Sequence, residues 1–205
     1  MTRNPRAFLT LTFTTPLLLA SDWRGERAVF QPKAGTTLTK TFESEGDLEL
    51  EEMKVHVDGQ DMSERMPQME MSMKHHQKLV VADTYVEVGD GRPQRLERAY
   101  ETISSNTVSS GSTPMGDQES DLDFESELEG SKVVFTHEDG SYRIAFAEGE
   151  KGDEKLLDGL EEDLDLRGFL APGEMEEGES WKIPGQVVKT LLVPGGDLKL
   201  RPAEG

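Results

Sequence analysis

The sequence predicts a mainly β protein: a large, curved antiparallel sheet, built as a meander of long strands and hairpins and covered by one or two helices. Three observations carry this. Asp-Gly occurs at Asp58-Gly59, Asp90-Gly91 and Asp139-Gly140, and the pair suits a two-residue hairpin because both positions tolerate positive φ. Apolar residues alternate on both sides of the second and third pairs. Two short stripes at helical spacing follow, each apolar on one side, which suits a helix lying on a sheet and not inside a bundle.

Taken in order, the chain opens with Arg3 and Arg6, then an apolar run over 7–20 that includes Phe8, Leu9, Leu11, Phe13, Leu17, Leu18 and Leu19, then polar Ser21 and Asp22. That order is the layout of a secretory signal peptide, and the run is too short to span a bilayer. Residues 1–20 are therefore expected to be removed after Ala20. An exported protein, periplasmic or extracellular, is left, with 21–205 as a single β-rich domain. Nothing after residue 20 reads as a membrane-spanning segment. The absence of cysteine excludes disulfides, thiol catalysis and zinc–thiolate sites.

Residues 36–42 read as a threonine-rich strand. Leu48 and Leu50 then alternate on one parity and Met53, Val55 and Val57 on the other, so a β-bulge is expected at Glu51-Glu52. Val86 and Val88 lead into the second Asp-Gly pair, with Leu96, Ala99-Tyr100 and Ile103 beyond it. The stretch 104–127 is serine-rich and then acidic, with Asp117, Glu119, Asp121, Asp123, Glu125 and Glu127. Acids on every second position would suit an extended strand with one acidic face, but only Leu122 and Phe124 could cover the other, and the composition predicts a mobile acidic loop. Val133, Val134 and Phe135 lead into the third pair, and Tyr142, Ile144 and Phe146 alternate on the way out. Leu156, Leu157, Leu160 and Leu164 predict a helix over 153–166, capped by Asp153 and stopped by Gly168. Val187, Val188, Leu191 and Leu192 predict a second over 184–192, with Pro184 at its start.

The stretch from Asp83 through Tyr85 to Gly91-Arg92-Pro93, with Arg98-Ala99-Tyr100-Glu101 after it, resembles a pattern in exported bacterial β-rich proteins of unknown function. Leu128-Glu129-Gly130, Gly178-Glu179-Ser180-Trp181 and Pro194-Gly195-Gly196 resemble the same proteins. The resemblance touches about half of 21–205. It implies a secreted β-rich domain and brings no catalytic residue with it.

Charge narrows the function. With 22 basic and 41 acidic residues and a net charge of −19, the chain repels phosphate backbones, so no nucleic-acid partner is expected. The most unusual segment is 66–76, where Met69, Met71, Met73 and His75 fall on alternate positions. On a strand they project from one face, and thioether with imidazole is a donor set suited to Cu(I). The plainer reading of the same pattern is adaptable apolar lining. Pro67 argues against a helix through the segment. No Gly-x-Ser-x-Gly elbow, His-Glu-x-x-His or Gly-Lys-Ser/Thr loop occurs, and no acid pair stands out in so acidic a chain. A Ser–His–acid hydrolase stays open only because such triads follow no fixed sequence order.

Tyr85, Tyr100, Trp23 and Trp181 are candidates to line an apolar pocket if the sheet curls around one. The reading that follows is a non-enzymatic exported domain without a cofactor. Its role is binding or envelope structure, with a small apolar ligand or a protein as partner. Metal handling through 66–76 stands second and an unrecognised hydrolase third.

Overall fold

The computed structural model describes residues 29–50, 56–57, 60–61, 70–113, 116–176 and 178–203. Within them run β1 (Thr36–Leu50), β2 (His56–Val57), β3 (Gln60–Asp61), β4 (Glu70–Gly89), β5 (Arg92–Thr113), β6 (Gly116–Glu125), β7 (Lys132–Glu138), β8 (Ser141–Phe146), α1 (Gly185–Leu192) and β9 (Arg201–Pro202). The expected signal peptide, Trp23, the Glu51-Glu52 bulge, the Asp58-Gly59 pair and Met69 lie outside the described residues.

The Asp-Gly pairs at 90–91 and 139–140 behave as their chemistry requires. Asp90 and Gly91 take φ of 52° and 70° between β4 and β5, and Asp139 and Gly140 take 49° and 85° between β7 and β8. Both central positions are positive, which matches the twist of the flanking strands. The result is one open antiparallel sheet of seven strands, with β2 and β3 paired separately.

β5 is the branch point of the sheet. Its first half pairs with β7 (Arg95 with Thr136 through Ala99 with Lys132), and its second half pairs with β6 (Ser104 with Glu125 through Thr113 with Gly116). The break between the two halves is residues 126–131. Gly130 donates its N–H to the Tyr100 carbonyl, Tyr100 donates to Ser131, and the Glu129 carboxylate accepts the Ile103 N–H at 2.7 Å. Leu128 drops into the core with no exposed surface. Opposite this break β5 carries a bulge. Val80 pairs with Thr102 and Val81 with Tyr100, so Glu101 is the extra residue and the buried parity is kept on both sides.

Two expectations are corrected. Residues 104–127 are not a loop, because 104–113 complete β5 and 116–125 form β6. Ladder hydrogen bonds come from the backbone and do not ask for apolar side chains. β4 runs to Glu70 and offers a template along the whole length of β5. The alternating acids then simply occupy one solvent-facing side of β6. Nor do residues 153–166 form an α-helix. Asp153 does cap a turn, accepting from Lys155 N–H, but it is a 3-10 turn over Glu154–Leu157. Gly159 then takes φ +81°, and Leu160, Glu162 and Leu164 are buried at every second position, which is an extended period. The second helix forms as expected, as α1 with Pro184 at its cap.

Paired residues on neighbouring strands share a face. One face carries Phe42, Leu79, Ile103, Val81, Tyr85, Leu96, Val133 and Phe135, all in the core. Residues 157–165 and 194–200 lie over it, with Leu157, Leu160, Leu164 and Leu198 completing the core. Tyr85 and Tyr100 are thus sealed in this core and do not line an open pocket, while Trp181 is exposed.

Candidate functional site

The covered and uncovered halves of this one sheet face decide what the molecule can do. In the covered half, two charged residues sit on the buried parity of their strands: Asp83 between Val81 and Tyr85, and Arg98 between Leu96 and Tyr100. Both are fully buried. They pair side by side across β4 and β5, and Arg98 grips Asp83 with a two-point fork, Nε to Oδ1 at 2.7 Å and Nη2 to Oδ2 at 2.9 Å. The remaining donors of the guanidinium reach the covering segment, Nη1 to the Glu161 carbonyl at 3.0 Å and Nη2 to the Glu162 carbonyl at 2.7 Å. Phe135 lies 5.0 Å from its cationic carbon.

Lys40 on β1 closes the other side, donating to Asp83 Oδ2 at 2.8 Å and meeting Asp165 Oδ1 at 2.7 Å. Tyr85 donates to the same Asp165 oxygen at 2.5 Å. Burial alone would raise the Asp83 carboxyl, but Arg98 and then Lys40 outweigh it and hold it below the usual carboxylate range. Burial, with the Asp165 charge second, drives the Tyr85 phenol far above its ordinary value. Glu162 is also raised by burial, although Arg167 binds it and also reaches Asp163 at 3.0 Å. Each of these charges faces an opposite one, although Glu162 Oε1 and Asp165 Oδ2 are buried without a hydrogen-bond partner among the described residues. The cluster fastens the covering segment to the sheet and does not present itself to a solute.

Beyond Leu79 the cover thins: Ser105 in the next row is still buried, and the face opens to solvent in the rows after it. Pairing places Ser44, Gln77, Ser105 and Phe124 in the first row, then Gly46, His75, Thr107 and Leu122, then Leu48, Met73, Ser109 and Ser120, and last Leu50, Met71, Gly111 and Gln118. Leu48 is 67% exposed, Met71 and Leu122 47% each, and Leu50 38%. The opposite face is charged. β1 sets Glu43, Glu45, Asp47 and Glu49 there, and β6 sets Asp117, Glu119, Asp121, Asp123 and Glu125. Where cover meets open face there is a cleft of 480 Å³ whose walls include Gln77, Glu161, Lys189, Val193, Leu198 and Leu200. Next to it α1 exposes Val188 and Leu192.

Of the methionine–histidine candidates, Met71, Met73 and His75 do share one face of β4, as the alternation predicts. His75 is tied to Thr107, Nδ1 to Oγ1 at 3.0 Å. His76 points to the other face and meets Glu43 at 3.2 Å. Among the described residues no group of three His, Asp or Glu side chains is placed to hold a metal ion. Among the hydrogen bonds of His75, His76 and His137, the partners are Thr107, Glu43 and Arg92, not a serine. No helix among the described residues is long and apolar enough to cross a membrane.

Sequence reasoning missed Lys40, which lies between Leu38 and Phe42 on one parity of β1, and Glu162, Asp165 and Arg167. It quoted Asp83 and Arg98 without a role and assigned Tyr85 and Tyr100 to an apolar pocket, yet a signal was there: a charge on the apolar parity of a strand is a charge headed for the core. Comparison with family models, curated proteins and solved structures gives no match to this chain.

Proposed function

We propose that this chain is a non-catalytic, exported binding module whose working surface is the uncovered half of the apolar sheet face. One observation carries the reading: the face that forms the core runs on past its cover, with Leu48, Leu50, Met71 and Leu122 in solvent. Large apolar side chains gathered in solvent on one sheet face mark an interaction site. Its acidic reverse keeps the wing soluble and directs association to one side only. Export is supported by the basic, apolar, then polar order of residues 1–22.

An environment-sensitive fluorophore tests the surface. The native protein is expected to take it up with a rise in emission, and L48E/L122E, which changes two exposed residues, is expected to lose most of that rise at an unchanged melting temperature. Equal uptake by the variant rejects the reading. A second reading, Cu(I) binding by Met71, Met73 and His75, is favoured by their common face. Anaerobic titration against a competing chelator is expected to give sub-micromolar affinity, and anything weaker ends it.

A further inference from the structure

We infer that the outer edge of β1 is a docking edge for a partner's extended segment in which lysine or arginine alternates with apolar residues. This rests on the binding-module reading and names the chemistry of the partner. β1 is the terminal strand of the sheet, and among the described residues no strand pairs with its outer side. It spans 15 residues, contains no proline and pairs with β4 from Thr36 to Leu50 without a register shift. Such a strand turns alternate N–H and C=O groups outward, ready to pair. Edges this long and regular are usually blunted by bulges, prolines or short length. β1 has none of these three; its protection is charge alone, Lys40 turned inward to Asp83 and the acids of its polar face.

Charge selects the occupant. On the polar face the inner neighbour sets Lys78 opposite Glu43, His76 opposite Glu45 and Lys74 opposite Asp47. On the apolar face it sets Met73 opposite Leu48 and Met71 opposite Leu50. β4 therefore displays the kind of strand that suits β1: basic on one parity, apolar on the other. Among the described residues the outer side has no counterpart. Among the described residues, of the four acids only Glu43 is in an ion pair, with His76. A second strand of the β4 type would place its cations beside Glu45, Asp47 and Glu49 and widen the apolar face beside Leu48 and Leu50. Cross-strand opposite charges are favourable and like charges opposed are not. That argues against a second copy of this chain, since β6 carries an acid at every other position from Asp117 to Glu125 and each copy bears −19 overall.

The test is fluorescence anisotropy with a labelled peptide of alternating lysine and valine, kept below its own aggregation threshold. Three controls accompany it: the same composition in block order, glutamate for lysine, and N-methylation of every second amide. The alternating peptide is expected to bind and each control to lose most of the affinity. E45K/D47K, at two exposed positions, is expected to weaken binding by about tenfold or more while keeping the native circular dichroism spectrum, with a small fall in melting temperature because it opposes like charge to Lys74. Binding by the block-order or N-methylated peptide equal to that of the alternating one overturns the proposal, because bulk charge then suffices. Unchanged affinity in E45K/D47K overturns it as well. L48E/L122E failing to lose fluorophore uptake rejects the apolar surface instead, so the two failures are distinguishable.

Discussion

Arg98→Ala is expected to lower stability by about 3–5 kcal/mol, the usual consequence of removing one partner from a buried ion pair. For a chain of this size that corresponds to a melting temperature lower by roughly 10–15 °C, read by circular dichroism. The loss is large because Arg98 does two tasks with one side chain. It neutralises Asp83, which has no exposed surface, and it supplies donors to the carbonyls of Glu161 and Glu162. Alanine strands all three acceptors, with Lys40 alone left beside Asp83. Arg98→Lys keeps the charge without the fork and is expected to fall between the two. The double variant Asp83→Leu with Arg98→Met removes the charge and the need for it together. It is expected to be more stable than Arg98→Ala. An Arg98→Ala variant that melts within a degree or two of the native protein would mean that the ion pair does not secure the cover.

Gly196→Ala is expected to cost about 3 kcal/mol or more, combining overpacking with a left-handed backbone at a residue that bears a Cβ. Gly196 has φ +81°, and a Cβ placed there meets the Gly159 carbonyl oxygen at 2.2 Å and the Glu161 nitrogen at 2.9 Å. Those are backbone atoms and no side chain can swing aside. The two segments are joined at this point by Glu161 N–H to the Gly195 carbonyl and Asp197 N–H to the Gly159 carbonyl, both 2.9 Å. Alanine must pry them apart, and hydrogen exchange over 157–165 and 194–200 is expected to rise more than exchange in β4. Gly140→Ala is the control. It has φ +85° with open space around it, so only the backbone cost of about 1–2 kcal/mol applies. Equal losses at the two glycines would show that the close approach contributes nothing.

Both predictions concern contacts that join residues distant in the chain, and this is where legibility ended. The Asp90-Gly91 and Asp139-Gly140 turns, the alternation around them and the short helix after Pro184 were readable because each is set within a few residues. The stretch 104–127 was misread because composition was taken as a guide to order. Serines and alternating carboxylates suit a strand with one wet face as well as they suit a loop, and the choice was made by β4 lying alongside. The leucines at 156, 157, 160 and 164 satisfied a helical period, but Arg98 needed the carbonyls of Glu161 and Glu162. A helix would have used such carbonyls in its own hydrogen bonds. An extended segment leaves them available.

Met71, Met73 and His75 were placed on a common face from their spacing, and that placement stands. What the spacing could not say is which way that face points.

Period-two alternation and positive-φ turn pairs were therefore enough to specify an antiparallel sheet, because strand pleat and hairpin geometry are properties of short stretches of backbone. Which rows are covered and which stay in solvent depended on residues far along the chain: 157–165 and 194–200 come to rest over Leu79 and Tyr85 and leave Leu48 and Met71 bare. Coverage is a matter of where distant backbone groups find partners, as Arg98 does with carbonyls 63 and 64 residues away, and no local pattern encodes that.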